Sequence, residues 1–553
     1  MSKKPIRLAL LWHMHQPYYI LDNQARLPWV HLHAAKDYYE MLALLEEHPE
    51  VRCTVNFVPS LLVGMHRWIN REVTDPVGRL LEVPAEHLDE TDIQELIKWS
   101  LLLPDAPMTR EIPRFAEARS VAAESEDGPV SIDLVRDLQV GFLLCWIGPI
   151  GRRRYRIAHL ARQRTPYKDS ERETVNDAMR SIVEQVEQSL ASSVAKNIEL
   201  STTPFYHPIL PILCDIADAA VSNPNAAMPD TRTGWGEDAE LQLEAAREYG
   251  TGAFGAAPIG CWPSEGAVSE KALDAMISAG FRWTASDQSI LEQSIDESAP
   301  LLPYCYRWEY TSDQGSIQVL FRDHDLSDRI GFRYAGISAR AAVDDFLSGI
   351  EERRTRIVEH HGEEMLENAV VPVILDGENC WEHYAQNGLP FLEELYRRLA
   401  ESETVMPVTF ADLLEDECSP NRLARIHPGS WIAGNFDIWI GGADENRAWE
   451  LLAAARAGLF EGKGSIDDGS FKRAYEHLLV AQGSDWFWWY GSQNSTENDP
   501  DFDLLFRGNL QAVYRTVDLA VPTELDRPIG RSSANEQTSN RTSRSTMQPA
   551  SGD

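Results

Sequence analysis

Short runs of apolar residues alternate with helical stretches along most of the chain. Five runs end at polar, glycine or proline residues and predict buried strands: Leu8–Trp12, Val51–Phe57, Phe281–Thr284, Ile317–Phe321 and Val370–Leu375. Helical periodicity lies between several of them, for example over Ala34–Glu47 and over Lys271–Ala279, which Gly280 ends. This alternation predicts an α/β fold with a parallel sheet or barrel, whose functional side chains gather at the carboxyl ends of strands.

A helical insertion is expected within this barrel, at residues 85–192. Ile132–Trp146 and Thr174–Leu190 read as helices, and no strand-like run separates them. Thr91 and Gln94 are spaced as a capping box that would begin the first helix of the insertion.

The chain changes again after the barrel, which we assign to residues 1–84 and 193–400. From residue 401 the strand rhythm fades, and Asn446–Leu459 and Phe471–Gln482 predict a mostly helical domain to residue 527. Residues 528–553 contain few large apolar side chains and are expected to form a disordered tail.

Composition and charge exclude several classes of function. The chain has 553 residues and a formal net charge of −35, which disfavours nucleic acid and anionic membranes as partners. Seven cysteines without a CxxC pair predict free thiols in a reducing compartment. No apolar run is long enough for a signal peptide or a membrane span, so a soluble cytoplasmic protein is expected. Oligomeric state is left open.

Two histidines follow the first predicted strand, in the segment HMHQPYY. His13 and His15 are two residues apart and project from one side of an extended chain. They are candidates either for metal ligands or for groups that bind a polyhydroxylated substrate. The metal interpretation requires further His, Asp or Glu ligands at matching positions.

Two carboxylates stand at the ends of other predicted strands. Glu265, in WPSEG, lies between a short strand and a helix, and Asp376, in LDGENCWEHY, ends a strongly apolar strand. The two could meet across the mouth of the barrel although they are far apart in the sequence. A pair of carboxylates across a glycosidic bond is what sugar hydrolysis requires.

Further polar and aromatic residues are candidates for binding a sugar. Acidic and imidazole groups beside probable strand ends are Glu199, His207, Asp287, Asp323 and His324. Tryptophans, whose rings stack on pyranose faces, occur at Trp262, Trp381, Trp431, Trp439 and Trp488. The last two belong to the aromatic segments SWIAGNFDIWIG and DWFWWYG, and the flanking Gly and Asp residues argue against a uniformly buried helix there.

Taken together, these motifs resemble glycoside hydrolase family 57 over about residues 6–515. The five regions of the family resemble, in order, HMHQPYY, NIELSTTPFYHPIL, WPSEG, LDGENCWEHY and SWIAGNFDIWIG. DWFWWYG is similar to the amylopullulanase-like branch of the family. One departure is that Lys196-Asn197 stands where the second region commonly has a glycine.

The resemblance implies an incomplete (β/α)7 barrel and a retaining mechanism through a covalent glycosyl-enzyme. Glu265 would be the nucleophile and Asp376 the general acid/base, while His13, His15 and the other residues named above would bind the sugar. The implied substrate is an α-glucan polysaccharide or a maltooligosaccharide, cleaved at α-1,4 and possibly at α-1,6 links. The implied chemistry requires no metal or cofactor.

Three alternatives stay open. One is a 4-alpha-glucanotransferase or a 1,4-alpha-glucan branching enzyme that uses the same site. Another is a metal-dependent alpha-mannosidase or deacetylase that uses His13, His15 and an aspartate. The third is a barrel that binds glycan and is catalytically inactive.

Overall fold

Mixed strands and helices make up the fold, in a computed structural model that describes residues 4–124, 130–193, 197–296, 298–378, 380–491 and 493–530. The strands are β1 Ile6–Met14, β2 Ile20–Leu21, β3 Gln24–Ala25, β4 Cys53–Phe57, β5 Ile198–Thr202, β6 Gly260–Cys261, β7 Trp283–Asp287, β8 Trp308–Ser312, β9 Gly315–Arg322, β10 Val370–Asp376, β11 Val405–Val408 and β12 Asn421–Leu423. All five predicted runs overlap a strand, so the α/β class is confirmed.

The helices lie mainly between these strands and after them. In the first half of the chain they are α1 Trp29–His33, α2 Tyr39–Glu47, α3 Pro59–Ile69, α4 Pro76–Glu82, α5 Glu90–Leu102, α6 Pro107–Arg110, α7 Pro113–Glu124, α8 Ile132–Cys145, α9 Pro149–Arg154, α10 Asp169–Ser193, α11 Leu210–Cys214, α12 Ala217–Ser222, α13 Gly236–Phe254 and α14 Glu270–Ser278. In the second half they are α15 Gln288–Ser294, α16 His324–Asp328, α17 Ala339–His361, α18 Leu389–Ala400, α19 Phe410–Leu414, α20 Ala443–Gly462, α21 Asp468–Ala481, α22 Ser484–Tyr490 and α23 Asp499–Thr516.

Seven strands pair in parallel in the order β10-β1-β4-β5-β6-β7-β9. The two end strands approach each other, because Asp323 N–H donates to Pro372 O over 2.8 Å and the Arg322 guanidinium donates to Ile374 O over 2.7 Å. These contacts join β9 to β10 without a regular ladder between them in the described chain. Every residue of β1 is buried, as its continuous apolar run predicts.

The insertion is helical, as the sequence predicts. In the described part of the chain, no strand lies between Phe57 and Ile198, and α3 to α10 occupy this interval. The predicted capping box is wrong by two residues: Asp89 caps α5 and exchanges side-chain bonds with Asp92. Aspartate accepts a hydrogen bond from a helix N-terminus as well as threonine does, which explains the displacement.

The C-terminal region begins later than the pattern indicates. Both β11 and β12 lie beyond residue 400 and still join the sheet, β11 beside β1 and β12 beside β8. The mostly helical part therefore starts after Leu423 and contains α20 to α23. Of the predicted tail, residues 531–553 lie outside the described residues. None of the described helices combines the length and the apolar character needed to cross a membrane.

Candidate active site

A cleft of roughly 970 Å³, counting its space open to solvent, lies over the carboxyl ends of the parallel strands. It contains four of the residues that the sequence singles out: Glu265, Asp376, His13 and His15. His13 and Asp376 lie at the carboxyl ends of β1 and β10, and His15 and Glu265 lie in the loops after β1 and β6. They meet because parallel strands end at one edge of the sheet.

Glu265 sits on a turn whose backbone is held in an unusual conformation. Its φ of 58° and ψ of 24° place it in the left-handed region, which costs a non-glycine residue about 1–3 kcal/mol. Trp431 fixes it from two sides: its backbone N–H donates to Glu265 O over 3.0 Å, and its indole Nε1–H donates to Glu265 Oε2 over 2.9 Å. The turn is thus rigid, and one carboxylate oxygen already has a donor.

Asp376 is the last residue of β10 and pairs in register with His13 on β1. The next residue, Gly377, donates its N–H to His13 O over 2.7 Å. A Cβ at Gly377 would collide with the Met14 sulfur, so this close approach of the two chains requires glycine. Asp376 is half-buried and borders the same cleft as Glu265.

Burial perturbs the carboxyl groups of the cleft strongly. Burial, with a smaller contribution from the charge of Asp376, raises the pKa of Glu265 from 4.5 to about 8, and only the Trp431 bond opposes this. Burial and Asp376 also raise the pKa of Glu378 well above its usual value. Two acids that oppose each other's ionisation share a proton near neutral pH, as a pair of acid and nucleophile must.

Glu378 is a site residue that the sequence did not single out. Its Oε1 accepts the His15 N–H over 3.4 Å, and its buried Oε2 has no hydrogen-bond partner. Since burial keeps the group protonated, it offers a hydroxyl donor to a sugar oxygen. The sequence could have indicated Glu378 as a site residue, because it lies two residues after Asp376 at the end of a strand.

Three histidine rings stack behind the two carboxylates. The centroid of the His207 ring lies 3.7 Å from that of His15 and 5.4 Å from that of His13. Burial lowers the pKa of His13 to about 3 and that of His207 well below 6.5. His13 Nδ1 lies 2.7 Å from Asn56 Oδ1. The lowered pKa values favour the neutral form of His13 and of His207, and His207 supports the cleft without being one of its lining residues.

A network of charged side chains packs against Trp431. The Arg322 guanidinium lies 5.5 Å from the centre of the Trp431 ring and 3.3 Å from Asp287 Oδ2. His324 lies 3.2 Å from the same oxygen and 3.0 Å from Asp328, and these two carboxylates raise its pKa to about 10. Asp287 and His324 thus act on the cleft through Trp431, and neither lines it.

Two of the predicted sugar-binding residues lie away from the cleft. Glu199, at the amino end of β5, accepts hydrogen bonds from the Trp283 indole, the Thr54 hydroxyl and the Ala411 N–H. Asp323 caps α16 and forms a two-bond ion pair with Arg353, where it is fully buried. The motif placed Glu199 near a strand end, but only the structure shows that it is the end opposite the cleft.

The predicted tryptophans are mostly buried. Trp262 is inaccessible and packs edge-on against Trp431, with ring centroids 5.1 Å apart, while Trp381 donates its indole N–H to Gly377 O. Trp439 and Trp488 are buried and pack on each other with ring centroids 5.9 Å apart, and neither is among the residues that line the cleft.

The residue that reaches the cleft from DWFWWYG is Trp489, next to Trp488. It stacks on Phe502 with centroids 5.3 Å apart. The segment forms α22, a mostly buried helix, and the flanking Gly and Asp residues were therefore a misleading signal. Successive side chains of a helix point in different directions around its axis, so Trp489 faces the cleft while Trp488 is buried.

An aromatic wall completes the cleft and was missed by the sequence reasoning. Trp29 and His33 are the first and last residues of α1, and both contact Trp146 of the insertion. The ring centroid of Trp146 lies 5.8 Å from that of Trp29 and 5.1 Å from that of His33. The i, i+4 spacing of Trp29 and His33 was a usable signal, but their contact with Trp146 was not visible in the sequence. The remaining lining residues are Gln16, Pro17, Tyr19, Leu102, Leu103, Pro104, Glu382, Thr496, Asn498 and Phe502.

In the described chain, one group of three side chains is close enough to bind a metal ion: His15, His207 and Asp485. His13, which the sequence suggested as a ligand, is not in this group. The paired acids Glu265 and Asp376 remain the groups suited to acid/base and nucleophilic chemistry.

Comparison with solved structures gives the same fold at low sequence identity. A branching enzyme from Thermococcus kodakaraensis superimposes with a TM-score of 0.61 at 13% identity, covering 93% of this chain and 90% of the other. An alpha-amylase from Thermotoga maritima gives 0.57 at 14%, covering 94% and 93%. A 4-alpha-glucanotransferase from Thermococcus litoralis gives 0.52 at 14%, covering 93% and 60%.

Sequence comparison assigns the family. No curated protein matches the chain over its sequence. The model of Glycosyl hydrolase family 57 matches residues 9–426, which include both Glu265 and Asp376. The resemblance drawn from the motifs is confirmed: the chain belongs to glycosyl hydrolase family 57.

Proposed function

We propose that the protein is a retaining glycosidase that acts on α-glucans, with α-1,4 links as the main target and α-1,6 links as a second one. The observation that carries the proposal is the pair Glu265 and Asp376, which line one cleft and raise the energy of each other's charge. We expect their carboxyl groups to be about 5–5.5 Å apart in the substrate complex, the separation used in retention.

Glu265 is the group suited to be the nucleophile. Trp431 holds one of its oxygens, so the other can attack C1 of the sugar as the glycosidic bond breaks. For this step the shared proton must sit on Asp376, which delivers it to the leaving oxygen. Asp376 then removes a proton from water, and the water oxygen displaces Glu265 from C1.

The substrate is expected to be uncharged. The formal net charge is −35, so an anionic glycan would be repelled, whereas a neutral α-glucan is bound by hydrogen bonds and ring stacking. In the cleft, Glu378 and Gln16 provide hydrogen-bonding groups, and Trp29, Trp146 and Trp489 provide rings for stacking.

Transfer to a second sugar is the alternative outcome at the same site. Leu102, Leu103 and Phe502 add apolar walls to the cleft, which favour a bound glucan chain over water as the acceptor. The solved relatives named above include a branching enzyme and a 4-alpha-glucanotransferase as well as an alpha-amylase.

Product analysis separates these outcomes. The protein is incubated with amylose, pullulan and glycogen, and new reducing ends are compared with the redistribution of chain lengths. Hydrolysis predicts many new reducing ends, whereas transfer predicts redistribution with few of them. Release of reducing ends from pullulan would support action on α-1,6 links.

The catalytic assignment is tested by trapping. A 5-fluoroglycosyl fluoride should leave a glycosyl group on the Glu265 peptide, detectable by mass spectrometry. Glu265→Gln should form no adduct and lose activity, whereas Asp376→Asn should still be labelled because fluoride leaves without a proton. Labelling of Glu378 instead of Glu265 would overturn the assignment.

A further inference from the structure

Three side chains from distant segments of the chain converge beside the catalytic cleft. His15 follows β1, His207 lies in the loop after β5, and Asp485 is in the first turn of α22. One donor atom from each lies within 4.8 Å of the other two. The three residues are exposed by only 7%, 1% and 2%.

Two ring nitrogens in this cluster lack hydrogen-bond partners. His207 Nδ1 is 2.8 Å from the Ser484 hydroxyl, which leaves Nε2 as its free donor atom, and this atom is buried and unpartnered. His15 Nε2 is 2.8 Å from Asp485 Oδ1, while its Nδ1 is also buried without a partner. Buried polar atoms are nearly always satisfied, so these nitrogens point to a missing ligand.

We propose that His15, His207 and Asp485 form a binding site for a divalent transition-metal ion of the zinc type. Two imidazole nitrogens and one carboxylate oxygen are a ligand set that zinc prefers over harder ions such as magnesium. Bonds of about 2.0–2.2 Å put tetrahedral donors about 3.3–3.5 Å apart. An ion would therefore replace the present 2.8 Å hydrogen bond between His15 Nε2 and Asp485 Oδ1, and the donor atoms, which now lie within 4.8 Å of one another, would adjust to that spacing.

The surroundings of the cluster match those of a metal site. The Ser484 hydroxyl orients the His207 ring, as a second group usually does for a ligating histidine. His15 lines the cleft, so a fourth coordination position is open on that side. The ion would join the loops of the barrel to α22, and would bind irrespective of whether the enzyme hydrolyses or transfers.

Cobalt binding to the full-length enzyme tests this site. The protein is treated with chelator and titrated with Co²⁺, and the visible absorption of tetrahedral cobalt is recorded. We expect one equivalent to bind and the thermal midpoint to rise. His207→Gln and Asp485→Asn should each weaken binding by at least about tenfold.

The matched control is His477→Gln, a half-buried histidine that contacts Asn509 and is not in the cluster. It should bind cobalt like the wild type, and circular dichroism checks that each variant is folded. Absence of stoichiometric binding to the wild type would overturn the proposal, as would unchanged binding in folded His207→Gln. Glu265→Gln should keep the metal while losing activity, so a failure here is distinct from failure of the glycosidase assignment.

Discussion

The hydrogen bond from Trp431 to Glu265 gives a sharp test of how Glu265, the proposed nucleophile, is activated. Trp431→Phe removes the indole N–H that donates to Glu265 Oε2 over 2.9 Å. In the wild type the Trp431 ring lies 5.1 Å from the Trp262 ring and 5.5 Å from the Arg322 guanidinium. A phenyl ring at position 431 would keep an aromatic face against both groups. The substitution therefore deletes one donor with limited loss of packing.

The expected loss follows from the strength of this bond. A hydrogen bond to a charged group contributes about 1.5–3 kcal/mol, and about 1.36 kcal/mol corresponds to a tenfold change in rate. We therefore expect kcat/KM to fall about 10- to 150-fold. The bond also lowers the pKa of Glu265, so its removal should raise that pKa further above about 8.

The sign of the pH effect follows from the proposed mechanism. Glu265 must be ionised to attack C1, so activity is lost as the pH falls through its pKa. A higher pKa moves the acidic limb of the kcat/KM profile to higher pH. The assay is hydrolysis of a chromogenic maltooligosaccharide between about pH 5 and pH 10.

Trp439→Phe is the matched control, because Trp439 is equally a tryptophan but is fully buried and its indole nitrogen has no hydrogen-bond partner. It should leave the acidic limb in place. If the two variants had the same kcat/KM and the same limb, the Trp431 bond would have no part in activating Glu265.

Three further predictions concern residues around the cleft. Glu378→Gln should keep kcat/KM within about threefold, because burial already holds Glu378 neutral; a loss beyond about thirtyfold would mean that it acts as a carboxylate. Trp489→Ala should raise the KM for maltooligosaccharides about 3- to 10-fold, since ring stacking adds about 0.5–1.5 kcal/mol, whereas Trp488→Ala should lower the urea midpoint and leave KM unchanged. Equal effects on KM would contradict this. Burial raises the pKa of Glu199 from 4.5 to about 7, so its contribution to wild-type stability should fall as the pH rises between these values. The upper bound of this loss is about 3 kcal/mol, and the actual loss should be smaller because Glu199 is partly exposed. Urea unfolding at both ends of this range should show that dependence lost in Glu199→Gln; an unchanged slope would refute it.

Local patterns predicted a large part of the fold because strand burial and helix periodicity are written into neighbouring residues. The apolar run of β10 ends at Asp376, and that end is visible in the sequence. The helices between residues 85 and 192 follow from periodicity for the same reason. Strands β11 and β12 were missed because they are only four and three residues long, and their pairing with β1 and β8 is visible only in the structure.

The sequence by itself determined which chemistry is available, by placing Glu265 and Asp376 at strand ends and by matching the family motifs. Tertiary structure alone decided which groups share a site. Glu199 lies at the end of the sheet opposite the cleft, where it accepts a hydrogen bond from Trp283. Trp489 rather than Trp488 lines the cleft, and Asp485 contacts His15 although the two are far apart in the sequence. The physical reason is that periodicity records only whether a side chain is buried. Proximity and protonation depend on packing between segments distant in sequence, where burial and neighbouring charge set each pKa.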